Sequence, residues 1–224
     1  MAHVNEQPVT VTAGRVTLHG DLSLPREARG AVLFAHGSGS GRFSPRNRFV
    51  AQTLQARGFA TLLLDLLEER EADDRRKVFD IDLLADRLLG ATSWLHRQPP
   101  TADLPIGYFG ASTGAGAALQ AAARMPEAVA AVVSRGGRPD LAAPFLARVT
   151  APTLLLVGGD DEPVIGMNQE ALALLTCPKK LIIVPGATHL FEEPGALEQV
   201  AGFAQKWFAR YLVPVAASEQ GRMR

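Results

Sequence analysis

The chain has 224 residues, of which 47% are hydrophobic and 21% charged, and its 23 basic residues balance 23 acidic ones. This length and apolar fraction predict a single domain over residues 1–212, followed by a flexible C-terminal tail over residues 213–224. A formal charge of zero argues against nucleic acid as a partner, and no stretch approaches the ~18 consecutive apolar residues that predict a membrane span.

Neither a disulfide nor a metal site is predicted. Cys177 is the only cysteine, and no Cys/His cluster has the spacing of a zinc site. The polar residues 1–7 lack the apolar core of a signal peptide. We therefore expect a cytoplasmic protein that needs no cofactor and acts on a small molecule away from membranes, with a homodimer left open.

Apolar runs and amphipathic stretches alternate along the chain and predict an α/β fold. The predicted strands are a hairpin over 9–24 and single strands over 31–35, 60–65, 106–111, 128–134, 151–157 and 180–184. The predicted helices cover 45–57, 81–97, 113–124, 141–148, 166–175 and 197–211. This alternation predicts a mostly parallel sheet of about seven or eight strands with helices on both faces.

A glycine-rich turn, His36–Gly41, follows the first buried strand. In such a turn backbone N–H groups can bind a developing negative charge, and we expect the N–H of Ser38, or of Gly39, to form an oxyanion hole with the N–H of Thr113. His36 is expected to brace the loop. Phosphate binding is disfavoured because the turn lacks the Gly-Lys-Ser/Thr ending of a P-loop.

A dense run of mixed charge occupies residues 66–79, after the strand over 60–65. Such a run is typical of a solvated loop, and this is the favoured interpretation. The alternative is a mobile flap over the site, with Val78 and Phe79 as its apolar tip.

The segment Gly110–Gly114 reads Gly-Ala-Ser-Thr-Gly between a predicted strand and an alanine-rich helix. A sharp strand-to-helix turn strains the serine backbone and holds its hydroxyl clear of the sheet, while the flanking glycines let other backbone approach. Ser112 is therefore the candidate nucleophile.

Only a short turn, residues 134–139, follows the next strand, so no cap domain is predicted there. Arg135 and Arg138 lie in this turn. Either could meet a substrate carboxylate, but a surface position is the favoured interpretation for both.

The candidate acid lies after the apolar run that ends at Val157. Ligands and catalytic groups collect beyond the carboxyl ends of strands in open α/β sheets. We favour Asp161 because the loop reads Gly-x-x-Asp-x-x-Val from Gly158 to Val164. Asp160 is the second choice and Asp140 the third. Glu162 also competes, and a solvated acidic turn without catalytic function remains the alternative.

His189 follows the last predicted strand and precedes the final helix. A neutral imidazole at this point could take the proton of Ser112, and a carboxylate behind it would hold the correct tautomer. The candidate catalytic triad is thus Ser112, Asp161 and His189, in the chain order of the α/β-hydrolases.

With these motifs the chain resembles the α/β-hydrolase superfamily, and within it the dienelactone hydrolase family, over residues 15–211. The type members carry a cysteine nucleophile where this chain has Ser112. The resemblance therefore implies a capless serine hydrolase that cleaves carboxylic esters of small or medium acyl groups. An acyltransferase or thioesterase with the same triad, or a silent binding scaffold, is the alternative.

Overall fold

Eight strands form one sheet in the computed structural model of the protein, which describes residues 4–212. The strands are β1 (Val4–Ala13), β2 (Val16–Pro25), β3 (Ala31–Ala35), β4 (Ala60–Leu64), β5 (Ile106–Ala111), β6 (Ala131–Arg135), β7 (Thr153–Gly158) and β8 (Lys179–Val184). The helices are α1 (Pro45–Gln55), α2 (Glu69–Ala72), α3 (Arg75–Val78), α4 (Ile81–Arg97), α5 (Thr113–Arg124), α6 (Glu162–Leu174) and α7 (Ala196–Tyr211). Two 3₁₀ segments cover Pro126–Ala128 and Pro139–Arg148.

The strand order across the sheet is β1-β2-β4-β3-β5-β6-β7-β8. The β1–β2 hairpin runs antiparallel at one edge, and β2 pairs antiparallel with β4. All pairs from β4 to β8 are parallel, so the carboxyl ends of these strands lie at one edge of the sheet. This mostly parallel sheet confirms the predicted α/β-hydrolase fold, and no cap domain interrupts it between residues 4 and 212.

Two apolar clusters cover the two faces of the sheet. Helices α4 and α5 pack on one face, where Leu33 and Val132 point, and α1 and α7 pack on the other, where Phe34 and Val133 point. Because neighbouring strand residues face opposite ways, both faces bury apolar side chains, and the central strands read as unbroken hydrophobic runs.

Several predicted boundaries are wrong. The two hairpin strands are ten residues long each and cover more than residues 9–24. Strand β6 begins at Ala131, after a 3₁₀ turn, and ends at Arg135. Helix α6 begins at Glu162 instead of residue 166, with Pro163 in its first turn, where proline needs no hydrogen-bond donor. The predicted helix over 141–148 is a 3₁₀ segment containing Pro144.

The charged segment over residues 66–79 is not a loop, although most of its charged side chains are exposed as predicted. It forms the short helices α2 and α3, and Leu66 and Glu71 are buried. Glu71 pairs with Lys77 at 3.0 Å and with Arg87 of α4 at 3.3 Å, which ties the segment to the body of the protein. Whether the segment moves as a flap stays a prediction.

The predicted tail over residues 213–224 lies outside the described residues. Among residues 4–212, none of the helices has the length and apolar character needed to cross a bilayer.

Candidate active site

Ser112 lies in a sharp turn between β5 and α5. Its backbone has φ 51° and ψ −123°, a conformation that glycine adopts freely and that a serine adopts only under strain. The turn is held by its backbone, since the Ser112 N–H donates to the carbonyl of Arg135 at 3.2 Å and the Ser112 carbonyl accepts from the N–H of Arg138 at 3.0 Å. Helix α5 starts at the next residue, Thr113.

The two glycines of the motif allow close backbone contacts on both sides of this turn. A Cβ atom at Gly110 would lie 2.5 Å from the Cα of Ala115 in α5. A Cβ atom at Gly114 would lie 2.2 Å from the carbonyl oxygen of Ala35, at the end of β3. Both distances are far below a van der Waals contact, so glycine at these positions lets α5 begin directly against β5 and β3.

Asp161 and His189 are hydrogen-bonded to each other. The Asp161 Oδ2 and His189 Nδ1 atoms are 2.7 Å apart, which leaves the second ring nitrogen of the imidazole available for another partner. The Asp161 side chain is largely buried and that of His189 partly exposed. Such a carboxylate fixes the tautomer and the orientation of an imidazole.

In the part of the chain that the structure describes, the competing carboxylates form no hydrogen bond or ion pair with His189. Asp160 and Glu162 are exposed. Asp140 forms a two-bond ion pair with Arg138, at 2.9 and 2.7 Å. Of the four candidates, Asp161 is thus the one that the structure brings to the histidine.

Close backbone packing places the Asp161 and His189 loops together. A Cβ atom at Gly158, the last residue of β7, would lie 2.3 Å from the carbonyl oxygen of Ala187. The N–H of Asp160 donates to that same carbonyl at 3.0 Å. The β7 and β8 loops therefore touch along their backbones, which brings Asp161 within reach of His189.

The His189 loop also reaches back toward the strand beside Ser112. A Cβ atom at Gly136, which has φ 50°, would lie 3.1 Å from the His189 carbonyl oxygen and 3.5 Å from the ring atom Cε1. Gly136 follows Arg135, whose carbonyl binds the Ser112 backbone. Within residues 4–212 no hydrogen bond joins the Ser112 hydroxyl to His189, so the two side chains share one edge of the sheet without being bonded.

The predicted oxyanion loop lies against the same turn. A Cβ atom at Gly37 would lie 3.0 Å from the Cβ of Ser112. The Ser38 N–H, one of the two predicted donors, donates to the side-chain oxygen of Thr113 at 3.0 Å. The Thr113 hydroxyl therefore fixes the position of the loop, a contact that the sequence pattern did not indicate.

His36 bridges this loop to the end of β4. Its Nδ1 lies 2.9 Å from the carbonyl oxygen of Gly37, and its Nε2 accepts from the Leu66 N–H at 3.0 Å. Burial lowers the pKa of His36, while the bond to Gly37 and the charge of Asp65 oppose this shift. A neutral ring with its proton on Nδ1 satisfies both bonds, in agreement with the predicted bracing function.

A cavity of about 600 Å³ opens beside the oxyanion loop. Its lining includes residues 37–40 and Thr113, the apolar side chains of Leu67, Val78 and Leu84, and charged groups such as Arg42 and Asp65 at its polar side. The segment over residues 66–79 supplies part of the wall. The cavity lies on the β3 and β4 side of Ser112, whereas Asp161 and His189 lie on the β6 to β8 side.

The surface interpretation of Arg135 is wrong. Only 7% of its surface is exposed, whereas Arg138 is partly exposed and paired with Asp140. Strand β6 runs one residue further than predicted, and this extension places Arg135 opposite Leu156, inside the sheet. Between residues 4 and 212, no three His, Cys, Asp or Glu side chains are arranged so that they could hold a metal ion.

Comparison with known proteins identifies the family. The model of the dienelactone hydrolase family matches residues 25–212, which is most of the chain. The chain belongs to this family. Membership agrees with the α/β-hydrolase fold described above.

Solved structures agree with this assignment. A crystal structure of a dienelactone hydrolase from Anabaena variabilis is 60% identical in sequence and has a TM-score of 0.91, over 93% of this chain and 99% of that one. A second solved structure, Est1E from Butyrivibrio proteoclasticus, is 17% identical with a TM-score of 0.78, over 91% of this chain and 98% of that one. At that identity the second likeness shows the fold alone.

A curated relative carries a different name. A protein of Mycobacterium tuberculosis named a phosphoribosyl transferase is 58% identical over 209 residues, which are 93% of this chain and 47% of that protein. The chain therefore spans about half the length of the curated relative. The relative's name applies to its whole length, so it does not indicate whether the named activity belongs to the half that this chain matches.

Proposed function

We propose that the protein is a serine hydrolase that cleaves carboxylic esters of small or medium acyl groups through an acyl-enzyme on Ser112. The observation that carries the proposal is the strained turn at Ser112 beside a hydrogen-bonded Asp161–His189 pair. A serine held at φ 51° is costly to the fold, by about 1–3 kcal/mol, and such strain clusters at catalytic positions.

In the proposed reaction the Ser112 hydroxyl attacks the ester carbonyl while His189 takes its proton. Asp161 stabilises the imidazolium that forms. His189 then gives the proton to the departing alcohol, which leaves the acyl group on Ser112. A water molecule, deprotonated by the same histidine, attacks the acyl-enzyme, and the histidine returns that proton to the Ser112 oxygen as the carboxylic acid leaves.

The negative charge of the tetrahedral intermediate would fall between the Thr113 N–H, at the start of α5, and the Ser38 N–H. Because the Ser38 N–H already donates to the Thr113 hydroxyl, an oxyanion there would share this donor or displace the hydroxyl. Each oxyanion-hole donor typically supplies about 3 kcal/mol of transition-state stabilisation.

The size of the acyl group is inferred from the cavity. Its volume of about 600 Å³ and its apolar wall suit a short aliphatic or single-ring acyl chain, since small-molecule sites usually lie between about 300 and 1,000 Å³. An acyltransferase or thioesterase would use the same residues and differ in the acceptor. The predicted cytoplasmic location stays a prediction.

The test compares wild type with Ser112→Ala on a short-chain 4-nitrophenyl ester and labels both with a fluorophosphonate. We expect turnover with a burst and one covalent adduct on Ser112, both lost in the variant. Transfer to an added alcohol or thiol would indicate the acyltransferase. Absence of turnover and of an adduct in folded wild-type protein would contradict the proposal and favour a silent scaffold.

A further inference from the structure

Asn168 is a fully buried polar residue on α6. Its side-chain nitrogen donates to two carbonyl oxygens, that of Val164 in the same helix at 2.8 Å and that of Gly137 at 3.0 Å. Because both partners can only accept, they fix the orientation of the amide. The amide oxygen Oδ1 is buried and has no partner within residues 4–212. An unpaired buried oxygen is unfavourable, and an apolar residue at this position would avoid it.

The bond to Gly137 continues to Ser112 through a single peptide group. The Gly137 carbonyl and the Arg138 N–H belong to the same planar unit and point in opposite directions. The carbonyl accepts from Asn168, and the N–H donates to the Ser112 carbonyl at 3.0 Å. Hydrogen bonds in series polarise one another, so the first bond strengthens the second. Asn168 therefore acts through one peptide group on the strained backbone of Ser112.

The turn that contains this peptide group also packs closely on α5. A Cβ atom at Gly137 would lie 2.6 Å from the Cβ of Ala115. A Cβ atom at Gly116 would lie 3.0 Å from the Arg138 carbonyl oxygen. Helix α5 thus contacts the turn directly, while Asn168 binds the same turn from α6.

Helix α6 also carries the candidate acid. Asp161 is its N-cap residue, and Asn168 follows seven residues later. Seven residues are close to two helical turns, so the two residues lie on the same side of α6, about 10 Å apart along its axis. Asp161 binds His189 at 2.7 Å. One helix therefore contacts the histidine at its start and the Ser112 turn two turns later.

We propose that Asn168 is a positioning residue, which holds the Ser112 turn in place relative to the Asp161–His189 pair. Its catalytic consequence rests on the proposed hydrolase function. Attack by the serine requires its oxygen to be aligned with the histidine and the ester carbonyl, and a displacement of about 1 Å can cost about 100-fold in rate. Asn168 is fully buried and does not line the described cavity, so its removal should affect the rate and not substrate binding.

The test replaces Asn168 by leucine, which is similar in size and cannot donate. Burst kinetics on a short-chain 4-nitrophenyl ester give the acylation rate constant and the substrate dissociation constant separately. In Asn168→Leu we expect the rate constant to fall by about 10- to 100-fold, while the dissociation constant stays within about twofold of wild type. An unchanged acylation rate constant, or a loss confined to the dissociation constant, overturns the proposal.

Thr92→Val is the matched control. It also removes a buried hydrogen bond, since the Thr92 hydroxyl lies 2.6 Å from that of Tyr108, but on α4 and away from the Ser112 turn. Urea denaturation measures the stability of both variants. Thr92→Val should keep the wild-type acylation rate constant despite its loss of stability. If both variants lose acylation equally, destabilisation explains the effect and the proposal fails.

Hydrogen exchange at the Arg138 amide tests the positioning without turnover. Measured by NMR and relative to the Leu33 amide of β3, it should be about fivefold or more faster in Asn168→Leu than in Thr92→Val, because one of the two bonds in series is lost. Equal exchange contradicts the proposal even where wild type hydrolyses esters. Faster exchange supports it even if wild type hydrolyses no ester, a result that would overturn the hydrolase function alone. Asn168→Ala serves in the same comparisons if the leucine variant does not fold.

Discussion

Asp161 was one of four carboxylates that the sequence offered, of which three follow β7 and the fourth, Asp140, follows β6. Its selection depends on one side-chain contact, the 2.7 Å hydrogen bond to His189, and no neighbouring carboxylate shares it. If this contact serves catalysis as proposed, an asparagine amide at this position donates to Nδ1 where the carboxylate accepts, and so holds the wrong imidazole tautomer.

We therefore predict that Asp161→Asn lowers kcat on an activated ester by about 10⁴-fold, the loss typical of a triad carboxylate replaced by its amide. Asp160→Asn, the adjacent exposed carboxylate, is the matched control and should stay within about threefold of wild type, because it does not touch the histidine. Equal losses in the two variants would remove Asp161 from the proposed mechanism. Steady-state kinetics on purified, folded variants provides the measurement.

At the scale of residues, the sequence predicted the contacts of some side chains but not of others. The spacing of Asp161 and His189 after two successive strands was enough to pair them, because parallel strands bring their loops to one edge. The burial of Arg135 was missed, since it depends on one extra residue of β6 pairing. The bond from Ser38 to Thr113 joins residues 75 positions apart and has no local signature.

At the scale of elements, the contact between β5, α5 and β3 decides the geometry of the nucleophile. Gly114 permits this contact, because the start of α5 touches the carbonyl oxygens of Ala35 and His36. Glycine usually destabilises a helix relative to alanine. At Gly114 it is nevertheless required, because an added Cβ atom would collide with these two carbonyl oxygens.

Replacement of Gly114 should therefore have the opposite sign to replacement of an ordinary helical glycine. Gly114→Ala is expected to destabilise the protein by about 3 kcal/mol, since both neighbours are backbone atoms that cannot rotate away. Gly202→Ala, in α7 with no atom within 4 Å of the added Cβ, should stabilise by up to about 1 kcal/mol. Urea denaturation measures both, and two changes of the same sign would contradict the account.

The elements themselves were largely predictable where they begin and end on clear signals. Helix α4 starts after Asp80, whose side chain accepts from the Leu83 N–H, and α5 ends before Pro126; both helices have the predicted bounds. The short helices α2 and α3 were missed because a densely charged sequence is typical of a loop. The burial of Leu66 and the ion pair between Glu71 and Arg87 form only in the folded protein and have no signal in the local sequence.

At the scale of the whole molecule, His36 links global stability to pH. The folded protein keeps this histidine neutral, with a pKa below 6.5, whereas the unfolded chain protonates it near 6.5. As the pH falls through 6.5 the unfolded state gains the proton first, so the folded state loses relative stability until its own, lower pKa is reached.

The free energy of unfolding should then decrease on acidification below pH 6.5, with a slope from this group of at most about 1.4 kcal/mol per pH unit. His36→Gln, which retains a donor and an acceptor but does not titrate, should lack this component. Denaturation series between pH 8 and pH 5 on both proteins measure the difference. Parallel pH profiles would show that His36 does not carry the effect.

The backbone of Ser112 also bears on how this protein could change over generations. The φ and ψ of this residue suit glycine, so a lineage that no longer used the hydroxyl could replace it by a single substitution and gain stability. The serine is thus a residue that selection for stability alone would remove. Its presence in a turn that disfavours it supports continued use of its hydroxyl.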